Sequence, residues 1–161
     1  MGEMDQLNFT IITCSDRASA GKYENTTGPW IAEQVTSAGG NVLNQVLIAD
    51  DAKAIKDEIK HGLIGDVIIT TGGTGVHPKD VTPEATLPLL DTLLPGISEA
   101  IRAQGLHSTP RAMISRAVAG FAGKTLIINL PGSEGSVRDG WNLIAQVIPH
   151  LLRQRRGTEG H

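Results

Sequence analysis

Cysteine, aromatic side chains and long apolar runs are all scarce in this sequence. A single cysteine, Cys14, in 161 residues excludes an intrachain disulfide and any zinc site built on several cysteines. Aromatics make up 3% of the chain against 40% hydrophobic residues, so the expected core is aliphatic and Ala-rich. No stretch approaches the ~18 apolar residues of a membrane-spanning helix, and the opening "MGEMDQLNFT" has no apolar h-region of the kind a signal peptide carries. A cytoplasmic location is therefore the expectation, with no membrane partner. The formal net charge of −3 argues against a dedicated nucleic-acid binder. The one basic block, "RQRR" at Arg153 to Arg156, reads as a solvated helix end whose cations suit the helix dipole. The five histidines are scattered, with no metal-ligand spacing.

What is present is an alternation of apolar runs and helical patterns. "FTIITC" (Phe9 to Cys14) is β-branched and short, as a buried strand should be. "GPWIAEQVTSAGG" reads as a helix with Pro29 at its first position. "NVLNQVLIAD" is a second strand, and "DAKAIKDEIKHG" an amphipathic helix with Ala52, Ile55 and Ile59 on one face. "DVIITT" (Asp66 to Thr71) is a third strand, apolar along its length like the middle of a parallel sheet. Thr82 and Pro83 look like the N-cap and first turn of a helix carrying Ala85, Leu89, Leu90 and Leu93. "PGISEAIRAQG" and "TPRAMISR" read as two more helices, and "AVAGFAGKTLIINL" as two strands turning near Ala122 and Gly123. "SVRDGWNLIAQVIPHLLRQRR" reads as one helix kinked at Pro149. This order predicts an α/β domain over residues 1–161, a mostly parallel sheet covered on both faces. Residues 1–6 and 155–161 are expected to be frayed tails.

The costly segment is "TTGGTGVHPKDVTPEAT", Thr70 to Thr86. It follows a strand, at the sheet edge where open α/β folds bind ligands. Its glycines let backbone N–H groups close on an anion, and a helix start adds positive potential. It is neither a P-loop nor a dinucleotide fingerprint. The Gly-Lys-Thr at Gly123 to Thr125 has Val118 where the P-loop needs glycine, and Gly75 is followed by Val76, His77 and Pro78. Asp80 beside an anion loop would repel the ligand unless a cation intervened, and Mg²⁺ binds through one or two carboxylates plus phosphates. Asp50 and Asp51 end the second strand on the same edge. Together they point to metal-assisted phosphoryl or nucleotidyl chemistry.

"TTGGTG" with "KDVTPEAT" resembles the signature of the MoaB/Mog family of molybdenum-cofactor biosynthesis proteins. "SDRASAGKYENTTGP", "IADD", "PRAMISRAVAG" and "NLPGS" resemble further family segments, so the likeness spans about residues 7 to 153. "SDRAS" followed by Gly21 and Tyr23 is similar to the molybdopterin adenylyltransferase branch. The resemblance implies a three-layer α/β/α fold and commonly a homotrimer. It implies Mg²⁺-dependent transfer of AMP from ATP to the molybdopterin phosphate, with pyrophosphate leaving and a separate molybdenum-insertion enzyme downstream. It assigns Asp50 and Asp80 as catalytic residues and metal ligands. Ser15, Asp16, Thr71, Gly72, Gly73, Thr74, Gly75, Pro131, Gly132 and Ser133 become binders of the two substrates. The residues support this independently: four strand ends, at Cys14, Ile48, Thr71 and Leu130, each run into a small, polar or acidic loop. The attacking phosphate is already ionised, which fits the lack of any Ser–His or His–Asp pair.

Two departures stand out. Ser133 is followed by Glu134 and Gly135 where many relatives carry proline, and Lys79 stands where relatives often carry arginine, keeping the charge without the fork geometry. Cys14 reads as a small buried strand-end residue, Asp51 as a helix N-cap, His77 as a solvated loop residue, and Trp30 and Trp141 as core or subunit contacts. For Arg17 and Arg116, a phosphate or subunit role and a surface role stand equal. The rival functions are a MoaB-like binding or assembly protein without catalysis, and a phosphohydrolase-like relative similar to competence-damage proteins.

Overall fold

The computed structural model describes residues 4–159. The chain runs β1 (Asn8–Cys14), α1 (Asp16–Ser19), α2 (Thr27–Ser37), β2 (Asn41–Ile48), α3 (Ala52–Gly62), β3 (Val67–Thr71) and α4 (Thr82–Thr86). It continues through β4 (Thr92–Leu93), α5 (Pro95–Leu106), β5 (Ala119–Ala122), β6 (Thr125–Leu130), α6 (Glu134–Ile144) and α7 (Ile148–Arg156). Leu87–Leu89 and Pro110–Ile114 are 3₁₀ turns. The sheet order is β2-β1-β3-β6-β5-β4. β2, β1, β3 and β6 are parallel; β5 runs antiparallel to β6 and β4 antiparallel to β5.

Both faces are covered, which explains why β3 and β6 are buried at every position and show no inward–outward alternation. On one face Phe9, Ile11 and Ile69 pack with Ile31 and Val35 of α2, Trp141 of α6 and Leu152 of α7. On the other, Ile12, Ile68 and Ile127 meet Ile55 and Ile59 of α3 and Ala85 of α4. The result is the expected three-layer α/β/α sandwich. From β1 the chain passes to β2 on one side and, later, to β3 on the other. The crevice between the carboxyl ends of β1 and β3 is thus a topological switch point, where open α/β sheets bind ligands.

Several local expectations need correction. α2 starts at Thr27, so Pro29 is its third residue. The helix at Thr82 has five residues and passes through the Leu87–Leu89 turn; Pro88 lacks the N–H a longer α-helix needs, and Leu93 joins β4 on the sheet edge. The N-cap position is Val81, and the Thr82 hydroxyl instead donates to the Gly72 carbonyl at 3.0 Å. The final helix is two helices: Pro149 lies in the first turn of α7 rather than at a kink, where its missing N–H costs no intrahelical bond. The described parts of the expected tails are folded. Met4 is 2% exposed in the core, and Arg155 and Arg156 belong to α7 and pair with Asp91 and Asp66. Residues 1–3, 160 and 161 lie outside the described residues. No helix among the described residues is long and apolar enough to cross a membrane.

Candidate active site at the carboxyl ends of the parallel strands

The four parallel strands deliver their loops to one edge, and tight backbone contacts hold the loops there. Ser15 N–H donates to the Ile48 carbonyl at 2.9 Å. Gly72 N–H donates to the Leu130 carbonyl at 3.2 Å, and the Thr71 hydroxyl to the Pro131 carbonyl at 2.9 Å. Gly72 and Gly73 both have positive φ, 91° and 67°, a region costly for side-chain-bearing residues. A Cβ on Gly72 would strike the Cys14 carbonyl, and one on Gly73 would meet the Thr82 hydroxyl and lie 3.0 Å from Asp50 Oδ1. Glycine therefore sets the path of this segment twice over. A Cβ on Gly132 would lie 3.1 Å from the Gly72 Cα, so "TTGG" and "NLPG" form one ridge.

The ridge separates two clefts. The first, about 240 Å³, sits at the switch point and is lined by Ser15, Asp50, Thr71, Gly72, Gly73 and Asp80, with Asn25, Thr26 and Glu134 at its far wall. The second, about 470 Å³, is lined by Thr74, Gly75, Pro131 and Ser133 and by Ile101, Ala112 and Ile114 from α5 and the following turn. Gly132 borders both. The expected site residues other than Asp16 thus line one or the other of two adjoining cavities; Asp16 lines neither. Among the described residues the amides of Gly73, Thr74 and Gly75 have no backbone acceptor, leaving them free for an anion. The Gly72 amide is not free: it closes onto β6.

Asp16 and Asp50 clasp each other. Asp16 N–H donates to Asp50 Oδ2 at 3.0 Å, and Asp50 N–H to Asp16 Oδ1 at 2.9 Å. The Asp50 amide, followed by Lys79, whose ammonium lies 3.1 Å from Asp16 Oδ2, holds the Asp16 carboxyl below its ordinary pKa. Asp50 moves the other way: burial raises its pKa, and the neighbouring Asp16 and Asp80 charges add to that. Asp80 Oδ2 accepts from His77 N–H at 3.1 Å and lies 2.7 Å from where a Gly75 Cβ would stand. Asp50 Oδ1 is buried with no hydrogen-bond partner, as is the Thr13 hydroxyl in the same cleft. A buried unpaired carboxylate oxygen beside further carboxylates is costly, and a bound cation offsets that cost.

Magnesium fits this donor set. Among the described residues no group of three or more His, Cys, Asp or Glu side chains is arranged to hold a metal ion. Mg²⁺ takes one or two carboxylates and completes its shell with phosphate oxygens and water. Asp50 and Asp80, which both line the first cleft, are the carboxylates that would hold it.

Arg116 is a contributor that sequence reasoning left undecided. Its Nε donates to the Gly75 carbonyl at 2.8 Å and its Nη2 to the Asp80 carbonyl at 2.9 Å, while Nη1 pairs with Glu84. It braces the loop that carries Asp80 from behind. Glu134 is exposed and accepts from the Thr26 hydroxyl at 2.6 Å on the rim of the first cleft. Cys14 is 2% exposed and burial pushes its thiol up to about 12, so it is no nucleophile. Asp51 caps α3 through the Ala54 amide at 2.8 Å, Ser15 caps α1, and Ser133 caps α6. Trp141 is a core residue against Phe9, and Arg138 lies over the half-buried Trp30 ring. Arg17 lies over the Tyr23 ring.

A family model described as "Probable molybdopterin binding domain" matches residues 10–151. The chain is 36% identical over 158 residues to the molybdopterin adenylyltransferase of Helicobacter pylori, covering 92% of this chain and 88% of that protein. It is 36% identical over 154 residues to the molybdenum cofactor synthesis protein cinnamon of Drosophila melanogaster, where it spans 92% of its own length but 26% of that protein. The solved Mog protein of Mycobacterium ulcerans superposes with a TM-score of 0.88 at 42% identity, covering 92% of this chain and 99% of that one. With the glycine ridge, the paired strand-end acids and these likenesses in hand, the chain belongs to the MoaB/Mog family of molybdenum-cofactor biosynthesis proteins.

Proposed function

We propose that this chain is a molybdopterin adenylyltransferase, transferring AMP from ATP to the molybdopterin phosphate. A phosphate oxygen of molybdopterin attacks the α-phosphorus of ATP, and the bond to the bridging oxygen breaks with its electron pair leaving on pyrophosphate. The observation that carries this reading is the ridge: two clefts meet across free amides, with the paired strand-end acids Asp50 and Asp80 on one side of it. The first cleft takes the triphosphate and the second the pterin, so that the two phosphates approach each other over Gly73 to Gly75 and Gly132. Holding the reactants in line is the main catalytic device, and the nucleophile needs no base. Mg²⁺, when bound, would supply charge neutralisation for the triphosphate. Asp50 and Asp80 would hold the ion. Lys79 balances Asp16, and Arg116 fixes the Asp80 loop. In this reading the chain works in the cytoplasm as a homotrimer and passes the adenylylated pterin to a separate molybdenum-insertion enzyme.

The test is pyrophosphate release from ATP, Mg²⁺ and molybdopterin, run beside Asp80→Asn. Release should require the pterin and fall on the order of 10²–10³-fold in the variant, the scale of losing one charge-stabilising group, with an unchanged melting temperature. Tight pterin binding without any release by the unmodified protein would leave a MoaB-like binding protein instead.

A further inference from the structure

The second cleft holds a group that the reaction as described does not use. We infer that Asp139 reads the pterin ring there, its carboxylate accepting the two parallel N–H donors of the ring's 2-amino and N3 positions. The inference rests on the proposed function and adds to it the residue that selects the ring.

Three observations carry it. First, the cleft has the character of a site for a flat ring. Its volume of about 470 Å³ lies within the roughly 300–1,000 Å³ of small-molecule sites, which are mostly apolar with a few orienting polar groups. Ile101, Ala112 and Ile114 supply apolar wall, whereas the first cleft is ringed by carboxylates and hydroxyls.

Second, α6 aims a polar stripe at the cleft. Ser133, Ser136 and Asp139 recur at three-residue spacing and all line it, as neighbours along one helix face do. The serines satisfy each other, Ser133 Oγ donating to Ser136 Oγ at 2.7 Å. Arg102, on the opposite wall, is committed to the carbonyls of Ser115 and Ala117, both at 3.2 Å. Asp139 is half-buried and, among the described residues, makes no hydrogen bond or ion pair. It is the spare acceptor of this cavity.

Third, the chemistry of the ligand edge decides what a lone carboxylate there can serve. An ionised carboxylate accepts and does not donate, and it repels phosphate. It therefore faces away from the phosphate end of a ligand, which lies at the ridge formed by Thr74, Gly75 and Gly132. The 2-amino-4-oxo edge of a pterin offers two parallel donors, the pattern a carboxylate takes in bidentate fashion. The edge of adenine pairs one donor with one acceptor, and the acceptor would face the carboxylate. Asp139 thus admits a pterin to this cleft and turns an adenine away.

The experiment is steady-state adenylyl transfer by the full chain with Asp139→Asn and Asp139→Glu. It is joined by a fluorescence competition between a pterin and the matching lumazine, whose 2-oxo group replaces the amine. Asparagine keeps the shape but sets an amide N–H₂ against a ring donor. The expected result is a rise of roughly 10–100-fold in KM for molybdopterin, the scale on which hydrogen-bonding sites reject a mismatched partner. kcat, KM for ATP and the melting temperature should stay within about twofold or unshifted, since charge-assisted recognition is local. Glutamate should recover part of the loss, and preference for pterin over lumazine should flatten in the asparagine variant. An unchanged KM for molybdopterin overturns the inference, and so does a rise that falls on ATP, which would put adenine in this cleft. If the unmodified protein releases no pyrophosphate, the adenylyltransferase reading fails by itself. The pterin–lumazine competition still decides the role of Asp139, because it needs binding alone.

Discussion

On one side of the Gly72 to Gly75 segment lies a cleft of about 240 Å³ ringed by Ser15, Asp50 and Asp80; on the other lies one of about 470 Å³ walled by Ile101, Ala112 and Ile114. The first is made from the ends of β1, β2 and β3, the parallel strands flanking the switch point. The second is made from α5, its following 3₁₀ turn and the start of α6, elements that lie over the β6 side of the sheet. The difference follows from where backbone is available. At strand ends, short loops present amides and acids in fixed positions, which suits phosphates and a metal ion. Between helices, the walls are side chains, which suits a ring. A transfer between two bound substrates needs both environments side by side, and Gly132 on the ridge borders both clefts.

The largest effect should come from damaging the ridge itself. Gly73→Ala puts a Cβ against the Thr82 hydroxyl and 3.0 Å from Asp50 Oδ1, at a φ of 67°. Backbone strain and the clash together should cost about 3 kcal/mol. Both clefts should suffer, so KM for ATP and for molybdopterin should rise together, with activity down on the order of 10³-fold. Urea melts and separate KM measurements check this; loss confined to one substrate would mean the clefts do not share this wall.

A middle effect, confined to the acidic cleft, should come from Asp50→Asn. Activity should fall on the order of 10²–10³-fold, while stability should increase. Burial raises the folded-state pKa of Asp50 above its ordinary value, so the native state binds more protons than the unfolded state in that window. Unfolding free energy therefore declines as pH rises from the ordinary carboxylate range through the raised value. Asn removes that penalty and can keep the bond from the Asp16 amide. At neutral pH the variant should melt higher than the unmodified protein, by a small margin because solvent screens a partly exposed group. The gain should vanish below the ordinary carboxylate range. Asp16 acts in the opposite sense: its lowered pKa contributes stability above the ordinary value that is lost as pH falls through the folded value. A melting-temperature profile against pH for both proteins separates the two; an asparagine variant less stable at neutral pH would mean that Asp50 is not an unpaired charge.

The acidic cleft was the readable one. Its residues follow strands whose apolar runs are visible, so Asp50, Asp80 and the glycines could be placed on one edge before any coordinates. The second cleft was readable only where it touches the ridge, through Thr74, Gly75, Pro131, Gly132 and Ser133. Its remaining wall comes from α5, which carries no motif, and from the Pro110–Ile114 turn, whose "PRAMI" resembles a family segment but suggested no site role by itself; Asp139 looks like any charge on an amphipathic helix. Arg116 escaped for a related reason. Its partners, Gly75 and Asp80, are 41 and 36 residues away in sequence, and only the folded chain brings them together. The two-residue strand β4 is too short to show a period, and the break between α6 and α7 falls just before Pro149, whose missing N–H and ring exclude it from a helix interior without a kink or a stop.

The smallest effect should sharpen the comparison from the other side. Ser133 caps α6 by accepting from the Ser136 amide at 3.3 Å and holds the Ser136 hydroxyl at 2.7 Å. Ser133→Ala removes both, at about 1 kcal/mol for the cap, a drop of roughly 2–4 °C in melting temperature. The rest of α6 stays in place because Val137, Trp141 and Ile144 are buried in the core. Only the first turn loosens, and that turn carries Ser136 and leads to Asp139. KM for molybdopterin should therefore rise by about threefold to tenfold, the worth of one neutral hydrogen bond, with KM for ATP unmoved. Ser133→Thr should restore the cap. An equal change in both KM values would mean that α6 serves the triphosphate as much as the ring, since its first residue, Glu134, stands on the other side of the ridge beside Thr26.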